Sequence, residues 1–354
     1  MDIIILIATT IGAGIFSLPY IFYNAGWLIN LIYFLFLGFF LVFIHYLYSL
    51  TLLKTQGRGG LLELIKENLN LKLYPFAFIL IILGLILTLL IYLILGGKFL
   101  NIIFPSLNFN LTVLIFWLIS SVSLIFGKFF NRFETLGAFF IIFIILFVFF
   151  SNGNLNNLNI PAINLNQVFL PFGPLLFALA GWTAIFPMLK QNNFQKIHFK
   201  KFILGTAIII VLYLLFILGI INASPIITED ALSGLNWPYF KLVILALLGL
   251  FAIWTSYLPI GLEIKNSLSL FFSSLTNNII IIFSPIILFY FGLQSFLKTI
   301  NLAGGVFLAL QYLFILILEN KVLNLNLINK LFIKILKIIF LLACFYEIYF
   351  YFAK

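Results

Sequence analysis

The sequence predicts an all-α membrane protein of about eleven transmembrane helices, and three observations carry that expectation. Charged residues make up 8% of the chain against 64% hydrophobic ones; a soluble domain carries roughly a quarter charged residues. So few charges cannot cover a surface facing water. Apolar runs of about 20 residues, the length that crosses a hydrocarbon core about 30 Å thick, recur along all 354 residues. These runs are continuous rather than alternating, which favours helices over the strands of a barrel.

In chain order the predicted spans are approximately 3–24, 28–52, 74–97, 111–127, 134–151, 167–189, 202–222, 239–262, 277–293, 298–318 and 331–352. The first begins within three residues of the start. It carries Asp2 instead of the basic cluster of a cleaved signal peptide, so it reads as a retained span. The joint at 54–73 holds Gly59-Gly60 and an amphipathic stretch to Asn70, which predicts a short surface helix. The joint at 152–166 is rich in Asn and uncharged, and that at 223–238 holds Glu229, Asp230 and Pro238. No appended soluble domain is expected. The single cysteine, Cys344, excludes an internal disulfide framework.

A net charge of +10 suggests a nucleic-acid partner only until the cations are located. They sit in the joints. Lys98, Lys241, Lys298 and Lys354 fall on one side and Lys337 just inside the last span. The others, from Lys54, Arg58, Lys66 and Lys72 through Lys128 and Arg132 to Lys330 and Lys334, fall on the opposite side. Joints rich in Lys and Arg stay in the cytoplasm. The chain is therefore expected in a plasma (inner) membrane, with its N-terminus inside and, after an odd number of spans, its C-terminus outside. The 46 Phe residues accompany Ile in the spans and Asn and Lys in the joints. That is a compositional drift and says nothing about an aromatic ligand.

Two spans are built unlike plain anchors. The first reads Thr9-Thr10-Ile11-Gly12-Ala13-Gly14-Ile15-Phe16-Ser17-Leu18-Pro19, with two glycines and a proline weakening the backbone ladder. About ten residues at 1.5 Å each precede Gly12, which puts the break near the membrane midplane. The sixth reads Phe177-Ala178-Leu179-Ala180-Gly181-Trp182-Thr183-Ala184-Ile185-Phe186-Pro187, and Pro171, Gly173 and Pro174 loosen its other half. Five spans separate their starts, so the two run in opposite directions. Paired interruptions at corresponding places are the sequence sign of an inverted-repeat transporter, although small residues also serve close helix packing. A half-helix starting at the midplane offers N–H groups to a carboxylate, and one ending there offers carbonyls to a cation or an ammonium. A zwitterion needs that pair and no charged side chain.

The run IGAGIFSLPY (11–20), continued by Asn24-Ala25-Gly26-Trp27, resembles the bacterial aromatic and hydroxy amino acid permeases of the amino acid–polyamine–organocation superfamily. HYLYSLTLLKT (45–55), FALAGWTAIFPML (177–189) and WTSYLPIGLEI (254–264) look like that family's second, sixth and eighth spans. The resemblance implies a five-plus-five inverted-repeat fold: repeats at 1–151 and 166–318 and an extra C-terminal helix at 331–352. It also implies cation-coupled uptake of a neutral amino acid, aromatic ones included. Carried over by motif, Gly12, Ala13 and Gly14 would hold the substrate carboxylate, and Phe177, Ala178, Gly181 and Trp182 would line its ammonium and side-chain end. Thr255 and Ser256 match the hydroxyl pair that, in sodium-coupled relatives, holds Na⁺ against first-span carbonyls near Ile11. Gly96-Gly97-Lys98 departs from the pattern, with a cation where an acidic residue is expected.

Beside the resemblance, Thr88 and Tyr92 on the third span are placed to face the site. Hydroxyls such as Thr255 and Ser256 also commonly bond their own helix. Asn301, Gly304 and Gly305 read as close packing or as a gate. Glu134, Glu263 and Lys337 lie near the basic side and Lys98 and Glu347 near the other, where each can snorkel to water. His45, inside the second span, is the candidate proton carrier, whereas His198 lies in a basic joint. No carboxylate is expected at the midplane, which favours a neutral substrate and Na⁺ over H⁺. The chain holds no H-E-x-x-H and no G-x-S-x-G, so an enzyme is not expected. No cofactor is expected beyond the coupling ion, and no partner beyond an amino acid and membrane lipid: no nucleic acid and no obligate protein. A non-transporting membrane subunit or sensor, or a lipid or glycan flippase, are the alternative readings.

Overall fold

The computed structural model describes residues 2–55, 60–69, 72–125, 134–151, 160–269 and 271–353. Arg58, Lys128, Arg132 and Lys354 of the charge pattern lie outside the described residues. The described residues are helical, with no strand among them.

The first span is two helices bent by 51°, α1 (Asp2–Thr10) and α2 (Leu18–Ala25), joined through the 3-10 turn Ala13–Ser17. The ladder stops where the glycines predict it. Ile11 still donates to Ile7, but Gly12 is extended at φ −139° and ψ −150°. Ser17 Oγ then donates to the Gly14 carbonyl, and Pro19 sits in the first turn of α2. At the other end of α2, Gly26 turns the chain with φ +98°, a conformation that disfavours any side chain. Residues 161–164 run alongside this corner: Trp27 and Leu28 donate to the Pro161 and Ala162 carbonyls, and Asn164 donates to that of Ala25.

The long helix α3 (Trp27–Lys54) follows, then the expected amphipathic helix α4 (Leu61–Asn68), which buries Leu61, Leu62, Leu64 and Ile65. The helix α5 (Tyr74–Ile103) is the pillar of the bundle, and α6 (Phe109–Ile125) and α7 (Glu134–Phe150) complete the first half. The sixth span is α8 (Phe172–Leu179) and α9 (Ile185–Gln191), separated by Ala180, Gly181 and a 3-10 turn at Trp182–Ala184. Here the halves remain one 20-residue span, a gentler break than the first. Next come α10 (Phe199–Ala223), α11 (Tyr239–Leu268) and α12 (Ser274–Tyr290). The tenth predicted span is α13 (Phe296–Asn301), a π-helical stretch at Leu302–Leu308 and α14 (Ala309–Val322); α15 (Leu327–Ala353) is last.

Among the described residues, six helices are long and apolar enough to cross a membrane, and the bent pair makes a seventh. The expected count of about eleven is larger for physical reasons. The helices α6 and α12 have 17 residues each, and α15 carries Lys330, Lys334, Lys337 and Glu347. Large apolar side chains such as Leu35, Phe39, Leu342 and Phe345 stand exposed on the outside of the bundle, as a lipid-facing belt requires. The chain is a multi-pass membrane protein.

One expectation about charges is refined and one corrected. Lys98 keeps a partly exposed side chain and pairs with Asp230 in the loop between α10 and α11. Glu347 does not sit at a wet end; it is 6% exposed and receives the backbone N–H of Gly173 at the start of α8. The other resolved pair, Lys201 with Asp2 at 2.6 Å, ties the start of α1 to α10. The glycines at 304 and 305 serve packing: a Cβ on Gly304 would lie 2.0 Å from the Gly173 carbonyl oxygen.

Asp230 yields a prediction. Burial by itself would push its carboxyl up, but Lys98 with hydrogen bonds from Thr228 and Ser233 brings it from 3.8 down to about 2. A carboxylate shifted down stabilises the fold above its unfolded value, and that contribution is lost as pH falls through the folded value. The 224–238 loop should therefore resist pepsin at about pH 4 and become cleavable towards pH 2, with Asp230→Asn cleavable at both. Equal cleavage of the wild type at the two pH values would contradict this latch.

Candidate functional site

The two interruptions meet. Gly14, in the first break, lies so close to the second that a Cβ there would be 2.8 Å from Ala178 Cα and 3.1 Å from Phe177 Cδ1. Beside this contact is a cavity of about 80 Å³, to which five spans contribute. The first gives Thr9, Thr10, Gly12, Ala13 and Gly14. The third gives Gly84, Leu85, Thr88 and Tyr92, and the sixth gives Phe177, Ala180, Trp182 and Thr183. Ile260, Leu308 and Gln311 complete the wall. No residue described as lining it is charged.

Of the predicted substrate residues, Gly12, Ala13, Gly14, Thr88, Tyr92, Phe177 and Trp182 are brought together here. Tyr92 reaches the first break, its hydroxyl 3.2 Å from where a Gly12 Cβ would be. Ala178 and Gly181 do not line the cavity: Ala178 is covered by Gly14, and Gly181 backs onto Thr10 Oγ1 and His45. The predicted cation residues lie apart from it too. Thr255 and Ser256 each donate to the Ala252 carbonyl at 2.9 Å, and Ile11 is buried behind the break.

The backbone groups freed by the breaks are accounted for one by one. The first N–H groups of the turn at Ala13 and Gly14 have no acceptor within it, as at any helix start. In the sixth span the corresponding donors are occupied, because Gly181 and Trp182 both donate to the phenol oxygen of Tyr312 on α14. Tyr312 is fully buried and lies 2.9 Å from His45 Nε2. Tyr213 on α10 serves the carbonyl side, donating to Ala178 at 2.6 Å with the Thr10 carbonyl at 3.4 Å. Phe16 packs edge-on against Phe99 and Phe216, with centroids 5.4 and 5.5 Å away, and fixes the start of α2 between α5 and α10. Sequence reasoning overlooked Tyr213, Tyr312, Thr10 and Gln311. Only Gln311, an amide inside an apolar span, carried a visible signal.

A second cavity of about 650 Å³ shares Thr9, Trp182, Thr183 and Ile260 with the first. It extends along α1, α9 and α11 to α4, Gln191 and Asn266, on the face that carries Lys66, Lys190 and Lys265. Its charged lining consists of Glu63 and Glu263, so an acidic passage opens on a basic face.

No protein-family model matches the sequence, and no curated protein matches it. Among solved structures, the chain is similar to the Eremococcus coleocola manganese transporter in complex with an aromatic bis-isothiourea substituted compound. The TM-score is 0.67 at 15% identity, over 99% of this chain and 87% of that one. It is also similar to MhsT in complex with L-phenylalanine, with a TM-score of 0.65 at 15% identity over 98% and 97% of the two chains. Nearly the whole molecule thus shares one fold with these two structures.

Proposed function

We propose that this protein is a cation-coupled secondary transporter that carries a neutral amino acid by alternating access. The observation that carries the reading is the contact between two interrupted helices at the wall of an uncharged central cavity. Unsatisfied backbone inside a membrane protein is tolerated only where protein or a water-lined cavity surrounds it. The free N–H groups at Ala13 and Gly14 suit a carboxylate, and the carbonyls ending α1 and α8 suit an ammonium. On this reading the halves 1–151 and 166–318 are inverted repeats and 331–352 is an added helix. Lys and Arg distribution puts the basic face in the cytoplasm of a plasma (inner) membrane. The 650 Å³ passage is then an inward-open vestibule.

A divalent metal is the weaker cargo. Among the described residues no group of three or more His, Cys, Asp or Glu side chains stands together, and hard cations favour carboxylate and carbonyl oxygens. A flippase would be expected to need a wide polar cavity, and a sensor or structural subunit would show no flux.

For the coupling ion, Thr255 and Ser256 give their hydrogens to the Ala252 carbonyl and keep oxygen lone pairs for a Na⁺ held against the carbonyls near Ile11. Protons would pass through His45, whose bond to Tyr312 links it to the sixth-span break. Proteoliposome uptake of labelled amino acids under separate Na⁺ and pH gradients tests the reading. Saturable uptake driven by one gradient is expected, and its absence under both would overturn it. Ser256→Ala should raise the half-saturating Na⁺ concentration about tenfold, the effect of losing one oxygen ligand worth about 1.4 kcal/mol. Na⁺-independent uptake by the wild type would transfer the coupling role to His45.

A further inference from the structure

The wall of the central cavity holds a buried amide oxygen without a partner. Gln311 is 1% exposed, lines the cavity, and has no protein group within hydrogen-bonding reach of its Oε1. Buried polar atoms in native proteins are nearly always satisfied, so an exception at a cavity wall points to a ligand. The other polar side chains there are in part accounted for. Thr9 donates to the Ile5 carbonyl and Thr88 to that of Gly84, each at 2.9 Å. Thr10 Oγ1 alone shares the condition of Gln311, being buried, on the wall and unpartnered.

The fold makes room for this amide. Gly84 packs directly against it, and a Cβ there would stand 2.6 Å from Gln311 Nε2 and 3.1 Å from Phe307 Cβ. A larger residue at 84 would displace the amide.

We infer that Gln311 is a specificity-determining residue that reads a neutral hydrogen-bonding group, a hydroxyl or an amide, on the side chain of the transported amino acid. This rests on the amino acid reading above. A primary amide both donates and accepts, and hydroxyl and amide groups answer it in both senses. An aliphatic side chain leaves it unpaired when the cavity closes and water is excluded. A charged side chain would find no counter-ion in the wall.

The test is competition binding to the purified full-length chain with pairs of near-equal shape: threonine against valine, and asparagine against leucine. Glycine and alanine serve as references that lack a polar side-chain group. The polar member of each pair should bind at least about tenfold more tightly, because a site built to hydrogen-bond rejects the analogue that cannot. Gln311→Met, similar in length and without the amide, should bring both ratios close to one. Gly84→Ala, which crowds the amide without removing it, should reduce the ratios in the same direction. Equal binding within the wild-type pairs would overturn the role of Gln311 and leave the transporter reading standing, as would unchanged ratios in a folded Gln311→Met. Failure of every amino acid to bind, glycine and alanine included, would remove the inference together with the reading beneath it.

Discussion

Tyr312→Phe is expected to abolish uptake and to lower thermal stability, although it deletes a single oxygen. That oxygen receives the N–H groups of Gly181 and Trp182 and stands 2.9 Å from His45 Nε2. Phenylalanine preserves the ring, which stacks on Phe340 with an interplanar angle of 15°, so packing is nearly unchanged. What changes is that two backbone donors and a ring nitrogen lose their partner in the membrane interior. Each such orphan costs about 1–3 kcal/mol, and the sixth-span break is free to take another shape. Detergent-solubilised Tyr312→Phe should melt several degrees below wild type, and its proteoliposomes should show uptake at least about tenfold lower. His45→Phe takes away only one of the groups that meet this oxygen and should be milder in melting. A double-mutant cycle between the positions should give a coupling of about 1 kcal/mol. Unaltered melting and uptake in Tyr312→Phe would show that the break does not depend on this oxygen.

Gly14→Ala is expected to be nearly as damaging, and for a steric reason. Its Cβ would fall 2.8 Å from Ala178 Cα and 3.0 Å from Ala178 Cβ, and backbone cannot move aside as a flexible side chain does. The two breaks must separate, which displaces the N–H groups at Ala13 and Gly14 from the carbonyls that complete the zwitterion site. Overpacking of this kind costs about 1–3 kcal/mol, equivalent to about 5- to 150-fold in affinity. The variant should still insert and elute as a monodisperse species, and Gly14→Leu should show no measurable binding. Wild-type affinity in Gly14→Ala would remove this contact from the site.

Much of the fold was legible because its signals are local. Gly12, Gly14 and Pro19 weaken one ladder whatever surrounds it, and the chain breaks there at Ile11–Gly12. The apolar Leu61, Leu62, Leu64 and Ile65, set among Glu63, Lys66 and Glu67, write an amphipathic pattern within about two turns, and α4 forms as expected. The seven predicted substrate residues that line the cavity follow from the same two interruptions and one neighbouring span. What was not legible depends on residues far apart in the chain. Lys98 looked anomalous until Asp230, 132 positions away, came to meet it. Tyr213 and Tyr312 are two of 15 tyrosines in apolar surroundings, and only the assembled bundle distinguishes them. Glu347 was expected at a wet helix end because sequence position cannot reveal that Gly173 and Gly305 leave a niche for its carboxylate.

The phenol of Tyr213 has one hydrogen and two carbonyls within reach, at 2.6 Å on the sixth span and 3.4 Å on the first. It can bond well to only one of them at a time, and the other must wait or find water. Exchanging the favoured acceptor gains one bond of the same kind as the bond given up. On the alternating-access reading proposed above, a hydrogen that can pass from one carbonyl to the other lets the two breaks shift against each other without leaving the phenol unpaired.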